Sequence, residues 1–271
     1  MNEKNETQAG KDPGTLAYTS RGAGKPALLL VHGYPLDRSM WEPQLSGLEN
    51  VAHVIAPDLR GFGESPAAGE MVTMDEHAWD LARVLGAVSE TQAVVCGLSM
   101  GGYVAMAFAA RYPSAVRGLI LANTRSGADS DAAREARRGA IEKARTEGVG
   151  AIADGMLPKM LTDATRAARP DLAAKVRAMM ARQPVGGVAA ALRGMMERPD
   201  RTSWLPSIAV PTLVITSDAD VLIPQTESAA MAQAIPRSKL VVIPGAAHLS
   251  NLENADAFNK AVRDFLATLP A

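Results

Sequence analysis

Short apolar runs recur along the chain at Ala27 to Val31, Val51 to Ala56, Ala93 to Cys96, Gly118 to Ala122, Thr212 to Thr216 and Leu240 to Ile243. Continuous apolar runs of this length are expected of parallel strands covered on both faces. Longer segments of helical spacing lie between them, and such alternation predicts a doubly wound α/β sheet. The clearest helix runs through Val104 to Ala110 and stops at Arg111-Tyr112-Pro113, where proline cannot continue it.

The alternation breaks between Thr124 and Leu205, a stretch dense in Ala, Arg and Met with helical spacing and no convincing strand. This reads as a helical cap inserted into the sheet domain. The mixed charges of Asp131 to Glu147 suit a solvated helix face, while Met156, Met160, Met179, Met180, Met195 and Met196 supply adaptable apolar surface. Those methionines are candidates for a cavity lining and equally for helix packing. Pro206 and Pro211 bracket the return to the sheet. The expected organisation is a polar, turn-rich lead-in over 1–12, a core built from 13–123 and 206–271, and a cap over 124–205.

With 271 residues and 47% hydrophobic composition the chain can bury one large core. A net charge of -1 provides no basic field for nucleic acid, so none is expected as a partner. The N-terminal residues are too polar for a signal peptide, and no apolar run approaches the roughly 18 residues of a membrane span. A cytoplasmic protein without membrane attachment is expected. The single cysteine, Cys96, ends an apolar strand and reads as a buried structural thiol.

The strand through Cys96 feeds into Gly97-Leu98-Ser99-Met100-Gly101-Gly102 and then the helix. A serine between strand and helix sits in a strained turn with little room for flanking side chains, which the glycines provide. Ser99 is therefore a candidate nucleophile, and the Met100 amide at the helix start points where a carbonyl oxygen would gain charge. A serine hydroxyl needs a base and a carboxylate to orient that base. Of the four histidines, His32 ends the first strong strand, His53 starts a strand and His77 lies in a helical segment. His248 remains, in a loop after the last strand, at the carboxyl edge where ligands bind in such sheets. Asp218 and Asp220 both follow the strand ending at Thr216 and compete for the role of acid. No Cys, His and acid cluster has ligand spacing, so neither metal nor organic cofactor is expected.

Three separated motifs in the order Ser, Asp, His resemble the α/β-hydrolase superfamily from about Leu28 to Leu266. His32-Gly33-Tyr34-Pro35 is similar to its oxyanion-loop motif, which implies the Tyr34 amide as a second donor beside Met100. Asp58 to Ser65 matches a structural loop of the superfamily. In the family the acid is followed four residues later by proline, so Pro224 favours Asp220; the alternative acid position after the earlier strand here holds the neutral Asn123. The resemblance implies an α/β-hydrolase fold, a mostly parallel doubly wound sheet with the helical cap inserted after the sixth strand. The motifs are shared by small carboxylesterases, enol-lactonase-like and cofactor-free haloperoxidase or perhydrolase-like proteins. A carboxylic ester hydrolase acting through an acyl-enzyme on a small-molecule ester or lactone is expected. An enol-lactonase acting on an acidic lactone, with Arg125 clamping the carboxylate, is the alternative, and a non-catalytic ligand-binding protein is the reading from a different class. Met156 and Met160 are expected in the acyl pocket. Pro35 resembles the loop proline of perhydrolase-like members, implying a side reaction that makes peracid.

Overall fold

A computed structural model describes residues 6–8 and 15–270. In chain order the elements are β1 (Glu6–Gln8), β2 (Tyr18–Arg21), β3 (Ala27–Val31), α1 (Glu42–Leu48), β4 (His53–Pro57), α2 (Met74–Ala87), β5 (Ala93–Leu98), α3 (Met100–Arg111) and β6 (Val116–Ala122). Helices α4 (Asp131–Thr146), α5 (Val149–Met160), α6 (Asp163–Ala168), α7 (Pro170–Ala181) and α8 (Val185–Met196) then intervene before the sheet resumes. It closes with β7 (Thr212–Ser217), α9 (Gln225–Ala234), β8 (Ser238–Ile243), α10 (Ser250–Glu253) and α11 (Ala255–Leu266).

The strands form one sheet in the order β1-β2-β4-β3-β5-β6-β7-β8. All pairings from β4 to β8 are parallel, whereas β2 runs antiparallel to both β1 and β4. The central strands bury both faces, because successive side chains point to opposite sides. Leu29, Val31, Val95, Leu119 and Leu121 join a cluster with α2 and α3. Leu28, Leu30, Val94, Cys96 and Ile120 join a second cluster with α1 and α11. Each fully buried leucine of this kind contributes about 1.5–3 kcal/mol relative to exposure.

The apolar runs mark the six parallel strands to within a few residues. β4 starts at His53 rather than Val51, because Val51 and Ala52 close a turn onto the Leu48 carbonyl at the end of α1. β1 and β2 carry no apolar run. Glu6–Gln8 falls within the expected lead-in and pairs with β2, while residues 1–5 and 9–14 of that segment lie outside the described residues. Tyr18–Arg21 mixes polar and apolar positions as befits a strand near the sheet edge. Among the described residues no helix is long and apolar enough to cross a membrane.

Candidate active site

β5 delivers Ser99 into a turn where its backbone takes φ 57° and ψ −118°, a left-handed conformation that costs a non-glycine residue strain. The turn is over-determined. The Ser99 amide donates to the Ala122 carbonyl at 2.9 Å, and its own carbonyl accepts from Thr124 Oγ1 at 2.8 Å. A side chain at Gly97 would put its Cβ 2.1 Å from the Gly101 carbonyl oxygen, and one at Gly101 would lie 2.1 Å from that of Val31. Only glycine fits either place, which is why strand and helix approach closely enough to aim the serine outward.

Ser99 and His248 line one cavity of about 300 Å³. His248 follows β8 in the loop before α10, and its Nδ1 lies 2.9 Å from Asp220 Oδ2. Both side chains are buried. The same carboxylate oxygen accepts from Asn123 Nδ2 at 2.9 Å, and Oδ1 accepts the Leu222 and Ile223 amides at 2.8 and 3.1 Å. Burial works against ionisation of Asp220, but the His248 and Asn123 hydrogen bonds and the Ile223 amide outweigh it and hold the carboxyl below its usual range. Asp218 has different partners: it accepts the Gly245 and Ala246 amides at 2.9 and 3.2 Å, pinning the loop that carries His248.

Asn123 is fixed from its other side. Its Nδ2 also donates to Ser217 Oγ at 2.7 Å, and its Oδ1 accepts from Ser250 Oγ at 2.6 Å. Its φ of 45° turns the side chain beneath Asp220 from the end of β6. In the sequence it stands out only as an acid position left neutral, and nothing there signals a hydrogen-bond role. Glu253 ties the histidine loop to the cap, accepting from the Ala247 amide at 2.6 Å and from the Thr162 amide at 2.8 Å.

The Met100 amide is the first of α3, so no carbonyl lies a turn behind it within that helix. Tyr34 stands in the loop after β3 and lines the cavity with Ser99. That loop is braced by His32, whose buried ring has Nδ1 2.9 Å from the Gly33 carbonyl and accepts the Leu59 amide on Nε2 at 2.9 Å. Burial keeps His32 neutral, as this bonding requires. Asp58 accepts the Arg38 and Glu64 amides at 2.7 and 2.9 Å, so the Asp58 to Ser65 loop closes on itself beside the site.

Tyr34, Arg125 and Met156 line the cavity, with Tyr103, Leu192 and Met195. Met160 does not: its side chain is buried in the second cluster, and its carbonyl accepts from the Leu249 amide at 3.1 Å. Nor does Pro35, which is buried in the tight turn closed by Leu36 on the Gly33 carbonyl. Met179, Met180 and Met196 also pack elsewhere. Arg137 lines the cavity too, though in the sequence it is one of several interchangeable arginines of a charged helix. A larger cleft, about 420 Å³, lies between β8 and α11, but no histidine lines it. Among the described residues no group of three or more His, Cys, Asp or Glu side chains could hold a metal ion.

A family model for the alpha/beta hydrolase fold matches residues 26–255. A curated relative, 3-oxoadipate enol-lactonase 2 of Acinetobacter baylyi, is 29% identical over 91% of either chain. Among solved structures, a thermophilic esterase from Thermogutta terrifontis with malate bound is 44% identical, with a TM-score of 0.90 over 93% of each chain. The enol-lactonase from Burkholderia xenovorans is 32% identical, with a TM-score of 0.87 over 93% of this chain and 96% of that one.

Proposed function

The chain belongs to the α/β-hydrolase fold family, and on that footing we propose that it hydrolyses carboxylic esters with Ser99 as nucleophile, His248 as base and Asp220 as the orienting acid. The observation that carries this is the His248 to Asp220 contact of 2.9 Å beside a strained serine in one cavity. Asp220, held ionised, fixes Nδ1 as the protonated nitrogen and leaves Nε2 free to take the Ser99 proton. Attack of Ser99 Oγ on the ester carbonyl gives a tetrahedral oxyanion, which the Tyr34 and Met100 amides would bind. Collapse expels the alcohol with the proton from His248 and leaves an acyl-enzyme. Water, deprotonated by His248, then releases the acid and restores Ser99.

A lactone is a cyclic ester and passes through the same steps. The resemblance to two proteins named enol-lactonases favours a lactone as a second substrate form. A peracid-forming side reaction has no comparable support, because Pro35 lies outside the cavity lining.

Ser99→Ala tests the whole mechanism, since it removes the attacking oxygen and little else. Turnover of a short-chain chromogenic ester is expected to fall by roughly a thousandfold or more, with the thermal transition retained. Activity of the variant near that of the unaltered protein would end the proposal.

A further inference from the structure

On the cap side of the cavity three arginines converge on one carboxylate. Arg198 Nη1 donates to Asp129 Oδ1 at 2.7 Å, Arg125 Nη2 at 3.1 Å and Arg137 Nη2 at 3.2 Å, with Arg137 Nε on Oδ2. The Asp129 side chain is fully buried. One carboxylate among three guanidinium groups leaves an excess of positive charge, only partly offset by the more distant Glu227 near Arg125 and Asp200 near Arg198. Arg198 is itself consumed: its guanidinium stacks on Tyr103 at 4.1 Å and donates to the Met195 and Gly127 carbonyls. Arg137 is bidentate on Asp129 and Arg125 also bonds Tyr103, yet both guanidinium groups line the cavity that Ser99 and His248 share.

Two further donors there have no acceptor. Tyr34 Oη and Arg125 Nε are buried without a hydrogen-bond partner among the described residues, and Tyr34 lies within electrostatic reach of Arg137. A buried hydroxyl is normally bonded, so a partnerless one in a cavity marks a place for a ligand acceptor. The same cavity is lined by apolar side chains, including Ala136, Ala140 and Leu192, which suit a short methylene chain. We propose that Arg125, Arg137 and Tyr34 Oη form a carboxylate-binding subsite, so that the preferred substrate is an ester or lactone carrying a second, ionised carboxyl group. Every unpaired group is a donor, and the guanidinium forks match a planar carboxylate. Asp129 locks two of those forks before substrate arrives, so little ordering remains to be done on binding. The proposal rests on the hydrolase reading above.

The test compares kcat/KM for monomethyl glutarate and methyl pentanoate, which share a five-carbon acyl chain and differ in charge. The unaltered protein is expected to favour the anionic ester at least tenfold, with the preference shrinking as salt rises. Arg137→Gln should cut the ratio of the two kcat/KM values at least tenfold, mainly through KM of the anionic ester. Tyr34→Phe, which keeps the backbone amide, should cut it several-fold, and this conservative change covers the case in which Arg137→Gln fails to fold. Equal kcat/KM for the two esters in the unaltered protein overturns the subsite, as does a ratio indifferent to both variants. If neither ester is hydrolysed, the hydrolase reading fails separately. Calorimetry with glutarate then decides the subsite: binding weakened by Tyr34→Phe supports it, and absence of binding overturns it.

Discussion

Asp220 is held by four hydrogen bonds, and two of them share the oxygen that faces His248. If this carboxylate fixes the imidazole, Asp220→Asn should lower kcat/KM by about a thousandfold or more, because the amide can present the wrong partner to Nδ1. Asp218→Asn weakens only loop contacts and should cost less than about tenfold. Equal losses from the two would put the acid elsewhere. Asn123 acts through Asp220 and is a positioning residue. Removing its donor in Asn123→Ala takes away a bond that shares the Asp220 charge, so the carboxylate presents more of that charge to the imidazole and the acid limb of kcat/KM moves to higher pH. Asn123→Asp places a second carboxylate against the same oxygen and should move it further. A purely structural asparagine would change stability and leave the pH profile in place.

At the scale of elements, the cap bears on the site through particular helix faces. Met156 and Met160 both lie on α5, yet only Met156 reaches the cavity. Met156→Phe should therefore lower kcat/KM for an octanoate ester relative to an acetate ester by about tenfold, within the 1–3 kcal/mol that pocket methylenes command. Met160→Ala should leave that ratio alone and destabilise the fold by about 2–5 kcal/mol as a core truncation. Chain-length profiles and denaturation midpoints separate the two. Which methionine faces which way depends on helix rotation, and the sequence carries no sign of it. The same holds for α4, where Arg134, Arg137 and Arg138 look alike in a charged run while only Arg137 turns toward the cavity. The parallel strands were legible because burial on both faces demands unbroken apolar runs. β2 was not, since Tyr-Thr-Ser-Arg mixes polar with apolar side chains. The turn at Ser99 was legible for a related reason: backbone contacts at 2.1 Å leave glycine as the residue that fits, and so write themselves into the sequence. Asp218 and Asp220 sit in one loop, and only the proline spacing of related proteins separated them beforehand.

For the molecule as a whole, two buried histidines tie the fold to pH. His77 on α2 is fully buried with both ring nitrogens without a partner among the described residues, and burial, aided by the Arg60 charge, brings it down to about 3. His32 is lowered as well, by burial, against its bond to Gly33. In the unfolded chain both would titrate near about 6.5. A histidine with a depressed folded pKa binds its proton preferentially when unfolded, so its stabilising effect is complete above about pH 6.5 and is lost as pH falls toward the folded value. Each such group can remove up to about 1.4 kcal/mol per pH unit in that window. Asp220 adds loss only lower than the histidines, as pH falls through the ordinary carboxylate range toward its held-down folded value. Urea midpoints measured from pH 7 to 4 should therefore fall steadily, starting well above the range in which carboxylates protonate. His77→Leu replaces an unpaired imidazole by an apolar side chain, and should flatten the slope between pH 6.5 and 4 by about one proton's worth. His32 cannot be exchanged as cleanly, since its ring joins Gly33 to Leu59 under the Tyr34 loop. His32→Gln should thus lower ester hydrolysis together with the slope, and a His77→Leu protein with an unchanged slope would show that His77 contributes nothing to the acid sensitivity.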